Sequence, residues 1–521
     1  MADSPFLLIH GGRLLDPVHG SADAADLLIE GCTIVAVGPP GLAAPAGART
    51  LDARGRLLHP GLVNAHTHGH GNLAKGFGER WTLELLLAAS TWTVGGQTAE
   101  DRYNATLLGA AEMALKGCTA CYDLTVELPG PSVDGLLAAA QAYDTVGLRA
   151  VIAPMVSNIP FFDAIPGLRG ALPPALAPAS APAAPRTDAG TLAELRRALH
   201  TWPFDRERLR LAVAPTIAHH CTDGFLADCA RLAADFDVGL HSHVQESKVQ
   251  AVTCVDQYGQ SQVAHLESLG LLGPRFTAAH GVWLSADDMA RLGRHGCSVA
   301  HNPGSNMRLG NGLADARGML DAGINLALGT DGAHCSDNLN MYESMRLASM
   351  TSSVQRRPVG RWLRSAEVVA AATTSGARCL GWGDSIGRIA PGFQADIVFL
   401  DLGHVNWLPL NDALNQLVHS EDGNAVHSVM VGGRLIVKNR RLLTVDMQDL
   451  ARRVEASRDR LEAKVRPHRQ LFTAIGGVVD GYCAGLAARS YADVDRYVGH
   501  ALSHACGGAH PASDSRTPSD T

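Results

Sequence analysis

Short apolar runs recur through the middle of the chain, and each is followed by a stretch with helical periodicity. Leu211-Ala212-Val213-Ala214, Val238-Gly239-Leu240-His241, Phe276-Thr277-Ala278-Ala279-His280 and Ile324-Asn325-Leu326-Ala327-Leu328-Gly329 have strand length. Gly224 to Asp235 and Ala286 to His295 lie between them with the apolar spacing of amphipathic helices. Strands separated by helices of this length pair in parallel through crossovers, because a tight hairpin turn is no longer available to them. The number of such units favours a sheet that closes on itself.

The two ends have a different texture. Phe6 to His10 stops at Gly11-Gly12, Asp26 to Glu30 stops at Gly31, and Thr33 to Val37 stops at Gly38-Pro39-Pro40. Short strands with this punctuation return after residue 385, in Asp396 to Leu400 and Val426 to Val431. The expected fold is therefore α/β: a (β/α)8 TIM-like barrel over 59–384, and a small β-sandwich domain formed from both flanking segments, 1–58 and 385–446. Residues 447–506 read as helices. Residues 163–190 hold six prolines among alanines, which suits a surface insertion, and 507–521 reads as a disordered tail.

Composition excludes several classes. A chain of 521 residues that is 46% hydrophobic and 18% charged is not disordered as a whole. A formal charge of −7 opposes nonspecific binding to nucleic acid or anionic lipid, so neither is expected as a partner. No run approaches a membrane span, and the first residues resemble no secretory leader. Eleven scattered cysteines read as reduced thiols of a cytoplasmic protein.

The chemistry sits where the apolar runs end. His66-Thr67-His68 follows Gly61-Leu62-Val63; His241-Ser242-His243-Val244-Gln245-Glu246 follows Val238-Gly239-Leu240; His280 and Asp331 end two further runs. Residues i and i+2 of a strand face one side, so both members of each HxH pair can point into a barrel mouth. A lone histidine at a strand end is more often a hydrogen-bonded core residue, and Gly329-Thr330-Asp331-Gly332 alone is a good turn. Four such endings on successive units are much harder to assign to chance. Imidazole nitrogens with one carboxylate suit a divalent metal, zinc by default, although iron accepts the same donors.

These stretches resemble the amidohydrolase superfamily, in the group of guanine and S-adenosylhomocysteine deaminases and s-triazine hydrolases. The resemblance rests on His59 to His68, His243-Val244-Gln245-Glu246, Ala279 to Ser285, His301-Asn302-Pro303-Gly304-Ser305-Asn306 and Gly329 to Gly332. Gly387 to Val398 is similar to the return strand of the family's sandwich, so the likeness spans roughly residues 5 to 445. It implies one metal held by His66, His68, His243 and Asp331. His243 is favoured over His241 because it stands three residues before Glu246, though His241 would also face inward. The resemblance further implies that Glu246 shuttles protons and that His280 polarises the attacking water or the developing oxyanion. The catalytic set is then Glu246, His280 and Asp331, and the expected assembly is a homodimer or higher oligomer. The fourth strand, near Leu209 to Pro215, has no lysine, which disfavours the superfamily's two-metal arrangement.

The expected reaction is hydrolysis of a C–N bond in a cyclic amidine or small aromatic heterocycle, most simply deamination. The alternatives are triazine-type dechlorination or dealkylamination, and cleavage of a urea-like bond. A non-catalytic scaffold would have lost ligands or Glu246, and none is lost. Gln97, Trp81, His220 and Asn302 are candidates for binding a small-molecule heterocyclic substrate. Trp81 fits the packed face of the first helix better than a substrate clamp, His219-His220-Cys221 fits the pocket lining or a surface loop equally, and His334-Cys335 fits the pocket edge. Two departures from the nucleoside-deaminase pattern, Thr216 after Pro215 and Thr93 to Gln97 after the first helix, weigh against a ribose-bearing substrate. Cys118 and Cys121, though spaced CxxC, read as core residues of the second barrel strand.

Overall fold

The computed structural model describes residues 4–17, 19–177, 187–492, 494 and 496. Eight parallel strands form a curled central sheet. Leu62–Thr67, Cys118–Thr125, Arg149–Val156 and a split fourth strand, Leu209–Leu211 with Ala214–Pro215, make one half. Leu240–Val244, Phe276–His280, Ser298–His301 and Asn325–Leu328 make the other. Both pieces of the fourth strand pair with the third, and Val213 between them bridges to Leu240 of the fifth. Ala212 N–H donates to Ile152 C=O on the third strand, and Val213 N–H donates to Gly239 C=O before the fifth, both at 3.0 Å. At the opposite seam Asp331 N–H donates to His66 C=O at 3.0 Å, bringing the ends of the eighth and first strands together.

The helices between the strands begin where short polar side chains can cap them. Thr98 and Asp101 form a reciprocal capping box for Ala99–Leu115, and Ser285 and Asp288 do the same for Ala286–Arg294. Inside the barrel the wall is mostly alanine: Ala65, Ala120, Ala153, Ala212, Ala214, Ala300 and Ala327 pack around Tyr122, Leu124 and Val151.

The flanking segments share one nine-stranded sheet. The return strand Ile397–Asp401 lies antiparallel to Arg56–Pro60, with Ile397 opposite Pro60. A single residue, Gly61, then leads into the first barrel strand; a Cβ there would lie 2.1 Å from Thr119 Oγ1. The first strand departs from expectation by running from Phe6 to Leu15 across Gly11-Gly12. Gly11, at φ +77°, opens a bulge in the pairing with Ala22–Glu30 instead of ending the strand.

Two C-terminal helices, Met447–Val465 and Arg469–Ala487, pack on the barrel. The first binds Ala99–Leu115 through Asn104 Nδ2 to Ser457 Oγ, 3.2 Å, and an ion pair of Arg460 with Asp101. The second lays Ile475, Val479 and Cys483 against Ala88, Ile165, Leu168 and Leu172. The start of the proline-rich segment therefore forms short helical turns, Phe161–Ala164 and Leu168–Ala171, that bury one apolar face against a helix far downstream and expose the other. Residues 178–186 and the tail 507–521 lie outside the described residues. Among the described residues no helix is long and apolar enough to cross a membrane.

Candidate metal centre and active site

Several strand ends converge on one point at the C-terminal mouth of the barrel, the face on which such barrels carry their sites. His280 and Asp331 close the sixth and eighth strands with φ of +71° and +63°, and Gln245 after the fifth has φ +46°. Left-handed backbone at non-glycine residues persists only where the surroundings fix it; His280 and Asp331 turn their side chains into the cluster, while Gln245 bonds Tyr491 Oη. Asp331 is held from both sides: its N–H bonds His66, and its Oδ1 accepts Gly332 N–H at 2.7 Å.

His68 Nε2 lies 3.1 Å and His66 Nε2 3.6 Å from Asp331 Oδ1. His243 Nε2 is 3.5 Å from His68 Nε2. His280 Nε2 stands 3.7 Å from Asp331 Oδ2 and 3.6 Å from Glu246 Oε2. All six side chains are buried. Their far nitrogens explain the orientation. His68 Nδ1–H donates to Leu124 C=O at 2.6 Å and His243 Nδ1–H to Thr216 C=O at 2.8 Å, which turns each Nε2 inward. His280 Nδ1 donates to Asn306 Oδ1 at 2.8 Å, so in the neutral ring its Nε2 is an acceptor.

The donor set fits a divalent cation. His66, His68 and Asp331 place ligand atoms within 4.8 Å of one another, and so do His66, His243 and His280. Among the described residues, both nitrogens of His66 and Nε2 of His280 are buried without a hydrogen-bond partner, a costly state that a cation relieves at a lone pair. His241 does not join this group. Its ring lies deeper, against His66 at 5.1 Å and Tyr122 at 4.6 Å between centroids.

Electrostatics separate the two acids. Burial would raise Asp331, but the hydrogen bond and charge of His68, with His280 and His66 behind them, hold it well below the usual carboxylate range. Burial pushes Glu246 well above that range, and the Asp331 and Glu84 carboxylates add to the rise. The two acids are thus driven in opposite directions, which suits one to stay ionised and the other to give a proton. Burial, helped by the charges of His68 and His280, lowers His243 to about 3, which keeps it a neutral donor of electrons.

The remaining candidates are more dispersed. Asn302 stands behind His280, with Nδ2 3.4 Å from its Nδ1. His220 is buried beside His219 and Phe161. Gln97 donates its amide to His70 C=O at 3.1 Å, and Trp81 packs edge-on against Phe472 at 5.3 Å. Sequence reasoning did not single out Asn311, whose amide donates to Glu246 Oε1 at 3.0 Å, or Glu84, which accepts from Ser247 Oγ at 2.6 Å. Nor did it single out His70, whose ring lies 5.5 Å from that of His68, while His334, read as pocket edge, lies 5.7 Å from the same ring. Asn306 was visible only as part of the His301 to Asn306 stretch.

The Amidohydrolase family pattern matches residues 57–436. A 5-methylthioadenosine/S-adenosylhomocysteine deaminase of Syntrophomonas wolfei is 31% identical over 456 residues, covering 86% of this chain and 97% of that protein. A 5'-deoxyadenosine deaminase of Methanosarcina mazei is 29% identical over 454 residues, covering 87% and 96%. An adenosine deaminase of Xanthomonas campestris with bound zinc superposes with a TM-score of 0.77 at 29% identity, covering 88% of this chain and 98% of that one. The zinc complex of atrazine chlorohydrolase from Arthrobacter aurescens TC1 gives 0.76 at 26% identity, covering 87% and 100%. The matched span contains every strand whose end contributes to the cluster, and the chain belongs to the amidohydrolase family.

Proposed function

We propose that this chain is an aminohydrolase that exchanges the amino group of a six-membered cyclic amidine for oxygen, with His66, His68, His243 and Asp331 holding one zinc ion. The observation that carries this reading is the buried pair of acids Glu246 and Asp331 on either side of His280 Nε2, 3.6 and 3.7 Å away, the first pushed above the usual carboxylate range and the second held below it. When bound, a divalent ion lowers the pKa of water from ~15.7 toward ~7 and supplies the nucleophile at neutral pH.

The side chains account for the proton movements. Glu246 gives its proton to a ring nitrogen of the substrate, and the neighbouring carbon becomes electrophilic. His280 Nε2 accepts a hydrogen bond from the attacking water and orients it, while Asp331 takes one of its protons. Asp331 then returns that proton to the exocyclic amine, the C–N bond breaks and ammonia leaves. Glu246 regains its proton from the new hydroxyl as the carbonyl forms, so both acids end as they began.

The deaminase relatives support an adenine-like ring, and Glu246 suits any amidine that presents a basic nitrogen. The superposition on atrazine chlorohydrolase favours a second reading, displacement of a group other than ammonia from a triazine-like ring, by the same residues. A homo-oligomer and a cytoplasmic location belong to the proposal as well. All ten cysteines among the described residues are free thiols, which supports a reducing compartment.

The test is ammonia release by purified, metal-analysed protein on 5'-methylthioadenosine, adenosine, guanine, cytosine and aminotriazines. About one zinc per chain with ammonia from one ring class is expected. Bound metal with no ammonia but chloride or alkylamine release would transfer the assignment to the second reading. Protein that binds no metal and turns over nothing would end both.

A further inference from the structure

Three of the clustered imidazoles are anchored at Nδ1, and one is not. His68 is held by Leu124 C=O, His243 by Thr216 C=O and His280 by Asn306 Oδ1. His66 turns Nε2 toward Asp331, and its Nδ1 is buried with no partner among the described residues. A histidine that offers one nitrogen to a cation carries its proton on the other, and that proton needs an acceptor to fix the ring. Solvent cannot serve, because His66 is 0% exposed. The polar neighbours along the strand are engaged elsewhere. Asn64 bonds Thr330 through both ends of its amide, at 2.7 and 3.1 Å, and Thr67 Oγ1 donates to Asp331 C=O at 3.0 Å.

His241 remains. Its ring lies 5.1 Å from that of His66 at a 42° tilt, and both its nitrogens are buried without partners among the described residues. On the other side it meets the Tyr122 ring edge-on, 4.6 Å away at 88°. Two buried imidazoles, each short of a partner, therefore stand side by side in a barrel lined by alanine, where no large side chain separates them. A neutral imidazole has one acceptor and one donor nitrogen, so His241 can take the Nδ1–H of His66 at one and present its own N–H at the other.

We infer that His241 is a positioning residue for His66: it accepts the His66 Nδ1 proton, directly or through one buried water, and so fixes the ring that faces Asp331. The assignment rests on the proposed role of His66 as a metal ligand. It gives the second HxH pair a division of labour, with His243 facing the cation and His241 bracing a ligand from the first strand.

The experiment compares wild type, His241→Leu and His241→Gln, each refolded or purified with zinc and with cobalt. Chelator competition reads metal affinity, and the visible absorption of the cobalt form reads ligand geometry independently of turnover. His241→Leu is expected to weaken affinity 10–100-fold and shift the cobalt bands, with His241→Gln, which keeps an acceptor, staying close to wild type. Unchanged affinity and bands in His241→Leu would overturn the inference. A high-resolution structure of zinc-loaded wild type decides the matter should the leucine variant not fold. It must show His241 or one bridging water within about 3.2 Å of His66 Nδ1, and any other acceptor there refutes the assignment. Wild type that binds no metal would instead defeat the reading of the site itself.

Discussion

Asn311 donates its side-chain amide to Glu246 Oε1 at 3.0 Å, and Glu246 Oε2 lies 3.6 Å from His280 Nε2. One oxygen of the carboxyl is thereby tethered and the other aimed at the reacting centre. Replacing Glu246 by Gln removes the transferable proton and leaves the proposed ligands untouched. Full metal content with a fall in kcat of about 10²–10⁴ is expected, the range for a lost general acid. Asn311→Leu keeps the acid and loses its tether, so kcat should fall about 2- to 10-fold, as a neutral hydrogen bond of ~0.5–1.5 kcal/mol predicts. Near-normal kcat in Glu246→Gln would take this residue out of the mechanism.

The contrast between these two residues shows what the sequence can reveal. Glu246 is legible because it follows His243 at fixed spacing along one strand end, and His66, His68, His280 and Asp331 because apolar runs lead into them. Asn311 lies on the loop after the seventh strand, and its reach across the end of the sixth is set by packing that no local pattern encodes. The choice between His241 and His243 stayed open in sequence because both face inward with period two. In the structure the Thr216 carbonyl, just past the fourth strand where Ile217 bridges to His243, fixes His243 Nδ1. Gly11-Gly12 reads as a strand end, and only pairing with Ala22–Glu30 makes it a bulge.

His59 predicts an acid limit on stability that is separate from catalysis. Its Nδ1 donates to Pro60 C=O at 2.7 Å and its Nε2 accepts from Tyr342 Oη at 2.9 Å, so the folded protein holds it neutral. Burial lowers it to about 4, against 6.5 when exposed, although the Pro60 contact opposes that shift. Between these values the unfolded chain binds one more proton, so stability is intact above 6.5 and falls as pH drops toward about 4. His59 alone should cost roughly 2 kcal/mol between pH 7 and pH 5. Urea titrations at both pH values should show that much less acid sensitivity in His59→Gln than in wild type. Equal sensitivity would mean that His59 titrates normally in the fold.

Gly71 is required by a neighbour. A Cβ there would stand 2.0 Å from Nδ1 of His334, whose ring lies 5.6 Å from that of His70. Nδ1 is attached close to the main chain, so the ring cannot yield without a change of rotamer. Gly71→Ala should therefore cost about 1–3 kcal/mol, the usual price of overpacking. The same change in a His334→Ala background should cost close to nothing, and denaturation of the four proteins of this cycle measures the coupling. Additive losses would place the clash elsewhere.

Arg149 and Asp396 join the third barrel strand to the return strand of the flanking sheet. Arg149 Nε lies 3.0 Å and Nη2 3.3 Å from the two oxygens of Asp396, and the side chains are 3% and 1% exposed. Gly432 N–H donates to the same carboxylate at 2.7 Å, and Arg149 Nη1 donates to Glu207 C=O at 2.8 Å. Asp396→Ala strands a guanidinium in the interior and leaves the Gly432 amide without its acceptor. The expected loss is about 3–5 kcal/mol, most of it the cost of an uncompensated buried charge. Because that charge is the cause, removing it should restore much of the loss, and Arg149→Met with Asp396→Leu should be more stable than Asp396→Ala alone. Urea midpoints of the three proteins at neutral pH settle the order. A double variant less stable than Asp396→Ala would mean that the pair contributes through its attraction and geometry, and that the buried charge is not the dominant cost.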